Sequence, residues 1–148
     1  MGATFLTTET GETVSCFGVR VDILLTGEDT EGAYATYRCV AEPGRGAPLH
    51  VHLIEDEAFF VLEGQFAFQC GEEMFTAGVS SQVRLPKGIP HAFQCIGEVP
   101  GIAFVVSTPG GHENFFRDAG MLPPGPPPLE EAIALCRRHN IELVLPGK

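Results

Sequence analysis

The sequence contains no tryptophan, and only 9 of its 148 residues are Lys or Arg. Against 19 Asp and Glu, that leaves a formal net charge of −10. Nucleic acid and anionic membrane surfaces are bound through basic faces, so this deficit argues against both as partners. No apolar run approaches the ~20 residues of a membrane helix. The longest stretch without Asp, Glu, Lys or Arg, residues 99–112, is broken by Pro and Gly. Residues 1–12 have neither a basic start nor an apolar core, which predicts no secretion signal, and Leu6 stands where a myristoylation signal needs Ser or Thr. The cysteines are 5, an odd number, scattered at Cys16, Cys39, Cys70, Cys95 and Cys136 with no C-x-x-C pair. A zinc ribbon is thereby excluded and a disulfide scaffold has little support, and the thiols read as small buried groups in a reducing, cytoplasmic setting.

What is present suits one domain with a real core: the hydrophobic fraction is 44% and the charged fraction 19%. With 18 Gly and 12 Pro, turns are frequent and the segments between them short. Apolar residues alternate at Phe17, Val19, Val21 and Ile23, a strand period. Further strands are expected at 33–40, 49–54, 58–62, 65–70, 74–75, 79–85, 91–96 and 102–107, with a loop at 43–46. Many short strands separated by turn signals predict an all-β sandwich or barrel. After Thr108-Pro109-Gly110-Gly111 the character changes. Residues 112–119 predict a short helix with Phe115, Phe116 and Ala119 on one face and Gly120 as its stop. Past a proline-rich spacer, 123–128, a second helix is expected at 129–139, with Leu129, Ala132, Ile133 and Cys136 on its apolar face. The organisation expected is therefore a β-barrel over 1–111 and a helical extension over 112–148 packed on the same domain.

His50 and His52 are two apart on a predicted strand, so their imidazoles share a face. Glu57 follows at an odd spacing and reaches that face only if the chain bends between them. His91 follows Pro86-Lys87-Gly88-Ile89-Pro90, and a barrel can bring it to the same place. Three imidazoles and one carboxylate suit borderline divalent metals. At this point the pattern resembles a known family. Gly44-x5-His50-x-His52-x4-Glu57-x6-Gly64 resembles the first metal-binding motif of the cupin superfamily at every fixed position, and Pro86-x-Gly88-x2-His91 resembles the core of the second. Two departures fall outside the ligands: seven residues separate Gly78 from Pro86, and Cys95 replaces the closing Asn. The 108–111 turn with Phe115-Phe116 is further similar to small single-domain cupins labelled quercetin 2,3-dioxygenase-like.

The resemblance implies a cupin jelly-roll barrel with short C-terminal helices, and a divalent ion (Fe, Mn, Ni, Co, Cu or Zn) held by His50, His52, Glu57 and His91. It implies a dioxygenase acting on a small aromatic or enol-type substrate, with Glu57 as the proton acceptor, its proton affinity raised by burial near phenylalanines. A homodimer is expected from the family and from exposed sheet edges. Two further functions stay open on the same residues: a metal-dependent isomerase or lyase of a small oxo acid or sugar derivative, and a non-catalytic small-molecule-binding cupin. So do a metal-free polar cluster and a closed structural zinc site. The pocket wall is expected from Phe59, Phe66, Phe68, Phe93 and Phe104. Tyr37, Arg38 and Arg84 are the strand residues able to anchor an anion, with the arginines expected outward. Glu55, Asp56 and Glu63 read as solvated turn carboxylates, and His112 and His139 as a helix start and an exposed helix end.

Overall fold

The computed structural model describes residues 2–147, in which turn residues cut the chain into short extended segments. The order is β1 (Glu12–Cys16), β2 (Val19–Ile23), β3 (Ala35–Ala41), β4 (Gly46–His52), β5 (Asp56–Glu63), β6 (Gln65–Cys70), β7 (Glu73–Ala77), β8 (Gln82–Leu85), β9 (His91–Ile96), β10 (Gly101–Thr108), α1 (Glu113–Gly120), α2 (Leu129–Arg138) and β11 (Ile141–Leu143). One antiparallel sheet runs β1-β2-β3-β10-β5-β8 and the other β11-β4-β9-β6-β7. The two sheets enclose the core, and alternation decides what enters it. On β10, Ala103, Val105 and Ser107 are buried while Ile102, Phe104 and Val106 are half-buried on the other face. Tyr37, Phe66, Phe68, Ile23 and Leu85 are the bulkiest of the fully enclosed side chains, each contributing about 1.5–3 kcal/mol on leaving water. No helix is long and apolar enough to cross a membrane among the described residues.

Several strand limits differ from the sequence expectation, each for a local reason. Residues 17–23 are not one strand: Phe17 and Gly18, both at positive φ (49° and 86°), make the tight turn between β1 and β2. Phe17 fits the alternation yet faces a different neighbour, Phe115, with ring centroids 6.3 Å apart. β1 was hidden because only Val14 and Cys16 of its five residues turn inward. β4 starts earlier than expected and ends at His52, since Leu53 and Ile54 form an exposed bend that carries the chain from one sheet to the other. β8 begins only at Gln82, after a turn with Ser80 at φ 73°. Gly120 closes α1 rather than following it. On α2 the fully buried residues are Leu135 and Cys136, and Leu129 is 56% exposed. The helix is rotated because part of its apolar face looks onto a cavity instead of solid core. The three-residue β11, too short to show a period, pairs with β4 and so extends the sheet that carries His50 and His52.

Asp22 is a fully buried charge on β2. It accepts from Thr13 Oγ1 (2.8 Å), Arg20 Nε (3.1 Å) and Arg38 Nη1 (3.2 Å), which removes Arg38 from any ligand-anchoring role. Close backbone approach fixes the start of β4: a Cβ on Gly46 would run into the Phe93 carbonyl oxygen of β9. Gly46→Ala is therefore expected to cost about 2 kcal/mol or more, lowering Tm by roughly 5 °C or more in a chain of this size. Thermal unfolding followed by circular dichroism checks this, and an unchanged Tm would mean the two strands separate freely at that point.

Candidate metal centre

β4 and β9 lie side by side in one sheet, and His50 is directly paired with His91 across them. β5 belongs to the other sheet, where Glu57 is paired with Leu85 of β8 and Ser107 of β10. The bend at Leu53 and Ile54 supplies the change of direction that the odd spacing between His52 and Glu57 demands. All four side chains are buried, and their donor atoms lie within 4.8 Å of one another. His50 Nε2 is 3.1 Å from His52 Nε2, and Glu57 Oε1 is 3.2 Å from His52 Nε2 and 3.3 Å from His91 Nε2.

The outer nitrogens decide what the inner ones are. His50 Nδ1 donates to the Pro48 carbonyl (2.7 Å) and His91 Nδ1 to the Ile89 carbonyl (3.3 Å). A carbonyl only accepts, so both protons sit on Nδ1, and in the neutral rings each Nε2 presents a lone pair inward. His52 Nδ1 meets the Glu55 carboxylate at 3.4 Å, which favours the same tautomer. Lone pairs then face one another at 3.1 Å, and His91 Nε2 is buried without any hydrogen bond. Donor atoms bound at about 2.1 Å to one ion and at right angles would be about 3 Å apart. The spacing, the inward lone pairs and the outer hydrogen-bond partners all fit a divalent cation.

Charge at the centre follows from this crowding. Burial, then the neighbouring His52 and His91, lower His50 to a pKa of about 4. Burial opposes protonation of His52 as well, but Glu57 and Glu55 hold it above its ordinary value. Burial alone would push the Glu57 carboxyl up; His52, His91 and His112 more than offset this and hold it well below the usual carboxylate range. The expected rise in its proton affinity is thus reversed, because the imidazoles outweigh the apolar surroundings.

Residues 37–107 match the cupin domain family. The fold is also similar to that of solved structures: KdgF from Halomonas sp. (15% identity, 77% of this chain and 99% of that one, TM-score 0.66), a predicted oxalate decarboxylase from Thermotoga maritima (20%, 70% and 97%, 0.64) and a cupin-superfamily sugar phosphate isomerase from Silicibacter pomeroyi (20%, 71% and 75%, 0.61). Residues 37–107 are a cupin domain. No curated protein matches it.

The cupin barrel opens at the four-residue cluster into a cavity of about 330 Å³. Phe59 and Phe93 line it. Phe66 and Phe68 stand behind them in the core, 6.1 and 6.2 Å from Phe93 between ring centroids, and do not reach the cavity. Phe104 lies on the opposite face of β10, against Phe60 at 6.2 Å, because strand parity turns its neighbours Ala103 and Val105 inward instead. The rest of the wall comes from outside the expected set: Val19, Val21 and Phe17 from the N-terminal hairpin, Phe115 and Phe116 from α1, Leu129, Ala132 and Cys136 from α2, and Ile141 and Leu143 from β11. The helical residues among these had been visible only as amphipathic faces.

Glu55 is not the solvated turn carboxylate expected, and His112 starts α1 as expected but is buried there. Glu55 is 7% exposed and His112 4% exposed. His112 occupies the residue before α1, its ring 4.8 Å from that of His52 and stacked on Phe115 at 5.4 Å. Burial, then His52, lower it to a pKa of about 3. No spacing in the sequence marks His112; Glu55 was hidden in a run that reads as a turn. Glu63 and Arg84 are exposed as expected, Arg84 lying 4.0 Å from a half-buried Asp56 that accepts from the Lys87 backbone N–H (2.8 Å), whereas His139, expected as an exposed helix end, is half-buried, its ring 5.8 Å from that of Phe115 and its Nε2 2.6 Å from Asp118. Tyr37 is fully buried and lines the cavity.

Two outcomes are expected. Replacing His50 and His52 together by Ala should abolish retention of divalent metal, measured by elemental analysis, while circular dichroism still reports a folded barrel. In metal-free protein, His50 and His112 have folded pKa values below the ordinary imidazole value, so below about pH 6.5 the unfolded chain binds more protons. Their stabilising effect, full above that pH, should drain away towards pH 4, and denaturant titration at pH 7 and pH 4.5 should show His112→Phe losing less than wild type between the two.

Proposed function

We propose that this cupin is a metal-dependent dioxygenase acting on a small, largely apolar phenol or enol. The observation that carries the reading is the cavity: it joins the His50, His52, Glu57, His91 cluster to a wall of Phe, Val and Leu side chains, and among the described residues no Lys or Arg lines it. An oxo acid or a sugar phosphate would find no cationic side chain in the wall to pair its charge beyond whatever the cluster itself holds, and would set that charge against apolar groups. A neutral aromatic ring instead meets Phe59, Phe93 and Phe115.

When bound by the four residues, a divalent cation supplies Lewis acidity to a substrate oxygen. The chain's own groups do the rest. Glu57, ionised at neutral pH, accepts the hydroxyl proton of the substrate on a carboxylate oxygen. Phe59 and Phe93 hold the ring, while α1 and α2 close the cavity and exclude water. Dioxygenation places both atoms of dioxygen in the product, so the reaction needs no external reductant. All five cysteines are free, which supports a reducing compartment. Edge strands β7 and β8 are unpaired along one side and support pairing with a second copy of the chain.

Oxygen uptake and labelled-oxygen incorporation, measured on a flavonol and phenol panel with the Fe, Mn, Ni, Co and Cu forms, test this. Uptake with at least one form is expected, and Glu57→Gln should lower turnover about 100-fold or more. Turnover that continues under strict anaerobiosis, or no uptake with any form, contradicts the dioxygenase reading.

A further inference from the structure

Besides His91 Nε2, three polar side-chain atoms are buried without a hydrogen-bond partner among the described residues: Tyr37 Oη, Ser107 Oγ and His112 Nδ1. They are clustered. Tyr37 and His112 line the same cavity and meet edge-on, ring centroids 5.9 Å apart. Ser107 lies opposite Glu57 in the pairing of β10 with β5, and Tyr37 lies opposite Val105, two residues away on the same face. Tyr37 and Ser107 are near enough for the hydroxyl to influence the phenol, yet they are not in hydrogen-bonding geometry.

Folding gains nothing from such groups. A buried polar atom left unpaired costs about 1–3 kcal/mol, and folded proteins leave few of them. Phenylalanine at position 37 would fill the same space without that cost. Departures of this kind collect where a fold serves a ligand. The orphaned atoms border the cluster that His52 and Glu57 belong to, at the one polar end of an apolar cavity.

We propose that Tyr37 and His112 form a second polar subsite, which holds a neutral hydroxyl or carbonyl oxygen of a ligand whose first oxygen sits at the His50, His52, Glu57 and His91 cluster. The proposal rests on the reading that an apolar phenol or enol occupies the cavity, and adds that it carries two oxygens. Tyr and His offer hydrogen bonds without a fixed charge, matching a wall that has no Lys or Arg.

The test uses the full chain loaded with zinc, without dioxygen, and two probes: 4-tert-butylcatechol, with two adjacent hydroxyls, and 4-tert-butylphenol, with one. Calorimetry gives the affinities and thermal unfolding the ligand-free Tm. Tyr37→Phe should keep its zinc, keep or raise the ligand-free Tm, and bind the catechol about five- to tenfold more weakly while binding the phenol as wild type does. His112→Phe, which preserves the stack on Phe115, should show the same split. A lower Tm with unchanged catechol affinity would assign these groups a structural role and overturn the proposal. Equal weakening of both probes, or no binding of either to wild type, would overturn it too. His52, Glu55 and His112 also bring donor atoms within 4.8 Å of one another, so a second zinc per chain that His112→Phe removes would assign Nδ1 to a cation instead. Because binding is measured without dioxygen, a chain that binds the catechol through Tyr37 but consumes no oxygen contradicts the dioxygenase reading and leaves the subsite standing.

Discussion

Three imidazole nitrogens and a carboxylate oxygen converge on one another in the interior of this barrel. Backbone carbonyls of Pro48 and Ile89 hold two of the rings by their outer nitrogens, and Glu55 holds the third. The rings cannot turn their protons inward without losing those bonds. The inward atoms therefore repel one another at about 3 Å unless positive charge sits among them. The same arrangement ties the two sheets together, since His50, His52 and His91 stand on one and Glu57 on the other. Charge at the centre and closure of the barrel are in this way one problem with one solution.

The division of labour along the chain follows. The stretch that matches the cupin domain, residues 37–107, contains the four candidate ligands. Much of the cavity wall lies outside it, on the N-terminal hairpin, both helices and β11. The candidate ligands thus lie inside the matched region, while many of the side chains that shape the cavity beside them lie outside it. The free thiols of Cys16, Cys39 and Cys136 belong to that wall as well. Burial raises all three, Cys16 to about 12 and Cys136 to about 11, so they act as apolar lining and not as nucleophiles.

The ligands were legible in the sequence because the rules that place them are short-range. Parity sets His50 and His52 on one face, and fixed spacing to Glu57 within a single motif marks the bend. Strands β6 and β9, bounded by Gly, Pro and polar turns, were equally plain. The pocket wall was not. Which of Phe59, Phe66, Phe68, Phe93 and Phe104 reaches the cavity depends on how each strand is rotated in the barrel, and the chain carries no local record of that. Phe17 alternates with Val19 but lies in a turn, so the period misled. β1 and β11 are too short or too polar to show a pattern. His112 and Glu55 acquire their burial only when α1 folds back on the barrel and β4 gives way to β5, contacts between residues far apart or across a bend.

The central claim is that one divalent ion sits where those four side chains converge. X-ray absorption on protein purified without added metal, then loaded with one equivalent of zinc, reads this directly. The account predicts nitrogen and oxygen neighbours at about 2.0–2.2 Å, with outer-shell scattering from three imidazoles, reduced by one imidazole in each of the single variants His50→Ala and His91→Ala. Zinc that shows sulfur neighbours, or fewer than three imidazoles in the wild-type protein, would contradict it.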